Sequence, residues 1–266
     1  MNALAAGRPS TSVLDAFGAD VAPVLLAGGR GFTWRAGDIV LRPVEGDEEA
    51  RWKSQVLSEL APGEGFTVPR PLRALDGDWL HEHWQAMEWV QGEADETRLA
   101  DVIAAGAAFH LAVARHARPG FIAAAGDAWS RADRIAWSEE PSPADPLLRV
   151  LADAYRDVSS PAQVIHGDLL GNVLFAADRP PAIIDWAPYW RPAGYAAAVA
   201  AVDSVCWHGL SREVLGEDRG IPEWRQFLLR ALAFRITTLH LLGVWTADHL
   251  ARHAPIVRAV ISLPET

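Results

Sequence analysis

"VIHGDLLGNVLFAADRPPAIIDW", residues 164–186, places His166, Asp168, Asn172 and Asp185 among short apolar runs. The runs "QVI", "NVLF" and "AIID" have the length and β-branched content of buried strands. "HGDLLGN" then reads as a turn between two short strands, in which Asp168 and Asn172 can face one point. Asp185 closes the next strand. A hairpin with a carboxylate at one end and an amide plus a carboxylate at the other offers hard oxygen ligands. Mg²⁺ takes one or two carboxylates of this kind and completes its shell with substrate phosphates and water. The remaining carboxylate can accept a proton from a hydroxyl nucleophile.

Upstream of this stretch the pattern is β-rich. "VAPVLLAGGRGFTWRAGDIVLRPV" (21–44) gives three short runs separated by a glycine-rich turn and an "AGD" turn, which is the signature of consecutive antiparallel strands. "GDEEARWKSQVLSELAPG" (46–63) predicts a helix with Trp52, Val56, Leu57 and Leu60 on one face and a Pro-Gly stop. Residues 69–93 predict two more strands around Asp76-Gly77-Asp78. From about 95 onward the spacing is helical, in 96–116, 143–158, 193–210 and 222–245, interrupted only by the opening stretch. The expected fold class is α+β: a β-rich lobe with one main helix over 1–92, and a mostly helical lobe over 93–266. Ligands favour the cleft between such domains.

Composition narrows the function. Half of the 266 residues are hydrophobic and 22% are charged, which is a globular balance. A net charge of −10 argues against a nucleic-acid partner, which would want a basic stripe. No apolar run reaches the length of a membrane span. The N-terminus lacks the pattern of a signal peptide, so a cytoplasmic location is expected. The single cysteine, Cys206, excludes an internal disulfide and a cysteine zinc cluster.

One aspartate as base, with a downstream asparagine and a second aspartate on metal, is the layout of kinase-type phosphoryl transfer. On "HGD…NVLF…IIDW" the chain resembles the aminoglycoside-phosphotransferase-type branch of the protein-kinase-like superfamily, along nearly its whole length and in the same order. Within that branch, "WRAGD", "HGDLxGNVLF" and "DWxPYWRP" are similar to an actinobacterial subfamily. The resemblance implies a two-lobed protein-kinase-like fold that binds ATP and Mg²⁺ and a small-molecule acceptor. It makes Asp168 the catalytic base, Asn172 and Asp185 the metal ligands, and His166 a support for the loop. "GGRGFT" (28–33) becomes the phosphate-covering turn, with Gly29, Gly31 and Thr33 against the nucleotide. Arg42 stands at the phosphate-binding strand position, with Glu49 as its acidic partner. The backbone of Glu88 and Val90 in "MEWV" becomes the adenine-holding hinge. Asp203 would brace the catalytic loop. Tyr189, Trp190 and Arg191 follow Asp185 where such enzymes thread past the acceptor, so they could shape its pocket; a structural turn clamped by two prolines is the other reading.

Two departures stand out. Arg42 occupies the position where kinases place lysine, and the two side chains are not interchangeable at a shaped site. Lys53 is the only lysine in the chain, however, so arginine stands throughout, and guanidinium binds phosphate well. Three residues separate Asp168 from Asn172, where four are usual. These departures keep a second reading open, a pseudokinase or nucleotide-binding interaction module without phosphotransfer, and a third, an adenylyltransferase that would leave AMP on its product.

Overall fold

The computed structural model describes residues 7–27, 31–61, 63 and 65–265. Its contacts divide the chain into two compact units. The first holds the described residues up to Glu93 together with Leu174–Ile184; the second holds Ala94–Val173 and the described residues from Asp185 on. The expected boundary at 92/93 therefore misses one excursion, since Leu174–Ile184 belongs with the N-terminal part.

In the first unit, β1 (Val24–Leu25), β2 (Trp34–Ala36), β3 (Ile39–Pro43), β4 (Pro71–Leu72), β5 (Leu80–His81) and β6 (Trp84–Glu88) form one sheet in the order β1-β2-β3-β6-β4, with β5 also on β6. The strands pair antiparallel. Ala36 faces Ile39 across a two-residue turn, and Gly37 supplies the positive φ (+61°) that such a turn demands. Ala36, Leu41 and Ala86 bury one sheet face against Val13 and Phe17. Val13 lies in a helix the β-rich reading overlooks, α1 (Thr11–Ala16), capped by the Ser10 hydroxyl, which accepts from the Val13 N–H. The expected main helix is α2 (Asp47–Glu59), with three acidic residues in its first turn complementing the dipole. It packs Ala50 with Val44, Trp79 and Leu80. Arg51 clamps the Asp-Gly-Asp turn by donating to both oxygens of Asp78 at 2.8–3.2 Å.

β7 (Glu93–Ala94) precedes the second unit's helices α3 (Leu99–Val113), α4 (Gly120–Ala124), α5 (Ala128–Ala136) and α6 (Pro146–Asp153). The motif stretch supplies β8 (Gln163–His166), β9 (Val173–Phe175) and β10 (Ala182–Ile183), and β11 (Pro188–Arg191) follows. Then come α7 (Ala193–Trp207), α8 (Trp224–Leu241) and α9 (Ala247–Ile261). Most of α7 is buried, because its alanines let neighbouring backbones approach closely. Helices α4 and α5 lie outside the spans that the spacing predicts as helical.

The strand pairing corrects the sequence reading at its centre. The turn "HGDLLGN" does not close a hairpin. β8 pairs with β11, matching His166 to Pro188 and Gln163 to Arg191, whereas β9 neighbours β10. The physical reason lies in Leu169 and Leu170, which are buried and draw the loop inward instead of letting it turn tightly in solvent. β10 returns to the first unit, where Ala182 bridges Thr67 and the Ile183 N–H donates to the Thr67 carbonyl at 2.8 Å.

Candidate active site

The polar loop is built from the inside out. His166, fully buried at the end of β8, donates its backbone N–H to Nε2 of His110 on α3 at 3.0 Å. The Asp168 N–H in turn donates to His166 Nδ1 at 3.1 Å. His166 thus supports the loop as the sequence suggests. His110 is a residue sequence reasoning passed over. Burial pushes its imidazole pKa down to about 3, with His166 adding to the effect, so it stays neutral and accepts through Nε2.

Two glycines make room for this packing. A Cβ on Gly106 of α3 would lie 2.4 Å from Leu169 Cδ1, and one on Gly167 would lie 2.3 Å from the ring of Tyr189. Gly171, at φ +82°, turns the chain back. The Asn172 N–H then donates to the Leu169 carbonyl at 2.9 Å, and its Nδ2 donates to the Asp168 carbonyl at 2.6 Å. The short spacing is therefore closed by Asn172 itself. Its amide nitrogen ties the loop.

Asp168 presents a carboxylate that is 49% exposed, and its Oδ1 accepts from Arg235 Nη2 at 2.7 Å. Arg235 also donates through Nε to Oδ1 of Asp203 at 2.7 Å and through Nη2 to Oδ2. Asp203 does brace the loop, and Arg235 is the missing link. Burial works against the guanidinium charge, but Asp203 and Asp168 outweigh it and raise the Arg235 pKa further. Burial pushes the Asp203 carboxyl up, and Arg235 pulls it back. An arginine within the buried run "ALAFRITTLH" was the available signal, because a buried charge needs a partner.

Asp185 follows β10 in a left-handed conformation, φ +48°, costly for a residue with a Cβ and commonest at functional sites. Its neighbour Trp186 pins the backbone there: the indole N–H donates to the Ile165 carbonyl at 3.1 Å, and the ring meets Phe109 edge-on at 5.2 Å. The Asp185 side chain lies at the surface of the second unit. Among the described residues no group of three or more His, Cys, Asp or Glu forms a metal cluster. One carboxylate with one amide oxygen still fits Mg²⁺, which relies on phosphates and waters for the rest of its shell.

Of the acceptor candidates, Arg191 and Tyr189 are built into the protein. Arg191 is buried, donates to both oxygens of Asp133 at 2.7–3.2 Å and also bonds Glu139. The Tyr189 ring covers Gly167 and meets Phe234 edge-on. Trp190 keeps partial exposure.

In the first unit, Gly29 lies outside the described residues. Gly31 has φ +75° and open space around it. The carbonyl of Thr33 accepts from the Leu26 N–H at 2.9 Å. Arg42 lies in mid-β3 opposite Gln85. The Glu49 carboxylate is held at 2.8 Å by Lys53, a turn later on α2, so the chain's one lysine sits beside the residue expected to pair with Arg42. At the strand end, the Glu88 N–H donates to the Arg70 carbonyl and the Trp89 N–H to that of Asp38. Val90 follows immediately.

The model of the phosphotransferase enzyme family matches residues 25–190. No curated protein matches the chain by sequence. Among solved structures, an amicoumacin kinase in complex with AMP-PNP, Ca²⁺ and Ami is 12% identical, with a TM-score of 0.56, over 92% of this chain and 90% of that one. An aminoglycoside phosphotransferase from Alicyclobacillus acidocaldarius is 15% identical, with a TM-score of 0.55, over 89% of both chains. A spectinomycin phosphotransferase in complex with ADP and spectinomycin is 14% identical, with a TM-score of 0.55, over 92% of this chain and 94% of that one. At these identities the likeness establishes the fold. Among the described residues no helix is long and apolar enough to cross a membrane.

Proposed function

This chain belongs to the phosphotransferase enzyme family, and from that premise we propose that it transfers the γ-phosphoryl group of ATP to a hydroxyl of a small molecule. The observation that carries the reading is the loop itself: a half-exposed Asp168 carboxylate, fixed through His166, Asn172 and Arg235, at the end of a buried strand. Asp168 orients the acceptor hydroxyl and takes its proton as the new O–P bond forms and the β,γ-bridging bond breaks, releasing ADP. Asn172, through its amide oxygen, and Asp185 are the residues that would hold Mg²⁺, which when bound neutralises charge on the β- and γ-phosphates. In the first unit, Arg42 and the backbone around Gly31 and Thr33 engage the phosphates, with Glu49 as the acidic residue behind them. The carbonyl of Glu88 and the backbone of Val90 meet the adenine. Positioning and electrostatics supply most of the rate, as phosphoryl transfer generally requires.

Support for a small-molecule acceptor comes from relatives of the same fold, among them an amicoumacin kinase and a spectinomycin phosphotransferase. Tyr189 is packed against Gly167 and Phe234 and Arg191 is bonded to Asp133 and Glu139, which leaves the partly exposed Trp190 as the proposed acceptor contact of that trio. The test is transfer of label from γ-labelled Mg·ATP to a panel of aminoglycosides, amino alcohols, sugars and hydroxy amino acids. Labelled product that disappears in Asp168→Asn supports the reading. Mg·ATP binding with no transfer and no hydrolysis would favour a pseudokinase, and AMP on the product would identify an adenylyltransferase.

A further inference from the structure

We infer that Arg235 of α8 is a positioning residue for phosphoryl transfer: anchored on buried Asp203, its guanidinium holds Oδ1 of Asp168 and leaves Oδ2 as the oxygen that takes the acceptor's proton. The inference rests on the phosphotransfer reading of Asp168.

Three observations support it. The guanidinium is fixed before it reaches Asp168, since it donates through both Nε and Nη2 to Asp203, whose side chain is 8% exposed. A planar fork held along one edge has its remaining directions determined, which a flexible ammonium would not. Arg235 then spends a further bond, 2.7 Å from Nη2 to Oδ1, on a carboxylate that is half exposed. An ion pair to so exposed a partner adds little to stability, so the bond's consequence is geometric. Finally, Arg235 lies on α8, far along the chain from the loop; the bond spans 67 residues and ties the buried helix α8 to the reacting group. The two loop side chains meet backbone atoms of Asp168: Asn172 Nδ2 donates to its carbonyl, and His166 Nδ1 accepts from its N–H. Among the described residues, Arg235 is the one that donates to its carboxylate.

Arg235→Lys and Arg235→Gln test this, each alone and with Asp168→Asn. Two quantities are read: the Mg·ATP dissociation constant, by calorimetry, and phosphate release from saturating Mg·ATP with water as acceptor. The expected result is a loss of about tenfold or more in turnover for Arg235→Gln, and a smaller loss for Arg235→Lys, with Mg·ATP affinity unchanged within about threefold. In the Asp168→Asn background neither substitution costs more than about twofold further, because groups acting as one unit are not additive. Should Arg235→Gln fail to fold, with Asp203 left unpaired, Arg235→Lys keeps the charge and carries the same comparison. Turnover unchanged in both variants would overturn the inference, as would a loss that persists in full beside Asp168→Asn or one confined to Mg·ATP affinity. A wild-type protein that neither binds nor hydrolyses Mg·ATP would overturn the phosphotransfer reading first, and this inference with it.

Discussion

Arg235 joins Asp168 to Asp203: one guanidinium donates to both carboxylates, at 2.7 Å to Oδ1 of each. The Asp203 end is buried and the Asp168 end is half exposed. Removing the cation therefore hurts stability mainly at Asp203. Arg235→Gln is expected to cost about 3–5 kcal/mol, because it strands a buried carboxylate. Replacing both partners, Arg235→Met with Asp203→Leu, is expected to cost much less. Urea unfolding of the three proteins measures the difference; equal losses in single and double variants would contradict a buried pair.

Gly167 gives a sharper prediction about loop packing. The ring of Tyr189 occupies the space a side chain would need, and that ring is itself held between Gly167 and Phe234. Gly167→Ala is expected to destabilise by about 1–3 kcal/mol through overpacking and to lower turnover by displacing Asp168. Gly106→Ala meets only the end of the Leu169 side chain and should cost less. Chemical denaturation ranks the two.

Arg191 separates an acceptor role from a structural one. Its guanidinium is bound by Asp133 and Glu139 inside the second unit. Arg191→Met should lower stability by about 3–5 kcal/mol, since Asp133 is left buried without its partner. Trp190→Ala should instead change the KM for the acceptor with little change in stability. The reverse pattern in thermal melts and steady-state kinetics would restore Arg191 to the acceptor pocket.

His110 makes stability depend on acid. Its folded pKa of about 3 is depressed below the ordinary 6.5, so the unfolded chain binds the extra proton. The sign follows: this contribution is fully present above pH 6.5 and is lost as the pH falls toward 3, at up to about 1.4 kcal/mol per pH unit. His110→Gln removes the titration, so the stability difference between it and wild type should shrink between pH 7 and pH 5. A difference independent of pH in urea melts would mean that His110 is not held neutral.

The sequence made much of this legible, for physical reasons that differ from residue to residue. The antiparallel strands around Gly37 could be read because a turn of that length needs left-handed residues. The clustering of His166, Asp168 and Asn172 could be read because polar groups at the ends of apolar strands have few other uses. What escaped notice was non-local. Nothing within "HGDLLGN" says that β8 prefers "PYWR" to the strand that follows it, because the choice is made by burial of Leu169 and Leu170. Arg235 and His110 lie far from the loop in the chain, and each looked like an ordinary member of an apolar helix. A charged or ionisable side chain inside such a helix marks a distant partner, and that signal was present in both. Helix α1 was missed because six residues carry too little periodicity to compete with a β-rich surrounding, although Ser10 marks its start.

The central claim is that Asp185, with the residues proposed to bind nucleotide, holds Mg·ATP. Its most direct test is the melting temperature across a Mg·ATP titration, with Mg²⁺ alone, ATP with chelator, and Asp185→Ala as controls. At about 100 times Kd, binding adds about 2.7 kcal/mol, or roughly 5–10 °C for a chain of this size. The account predicts a rise of that order that requires both the metal and Asp185. An unchanged melting temperature up to millimolar Mg·ATP, or a rise that survives intact in Asp185→Ala, would contradict it.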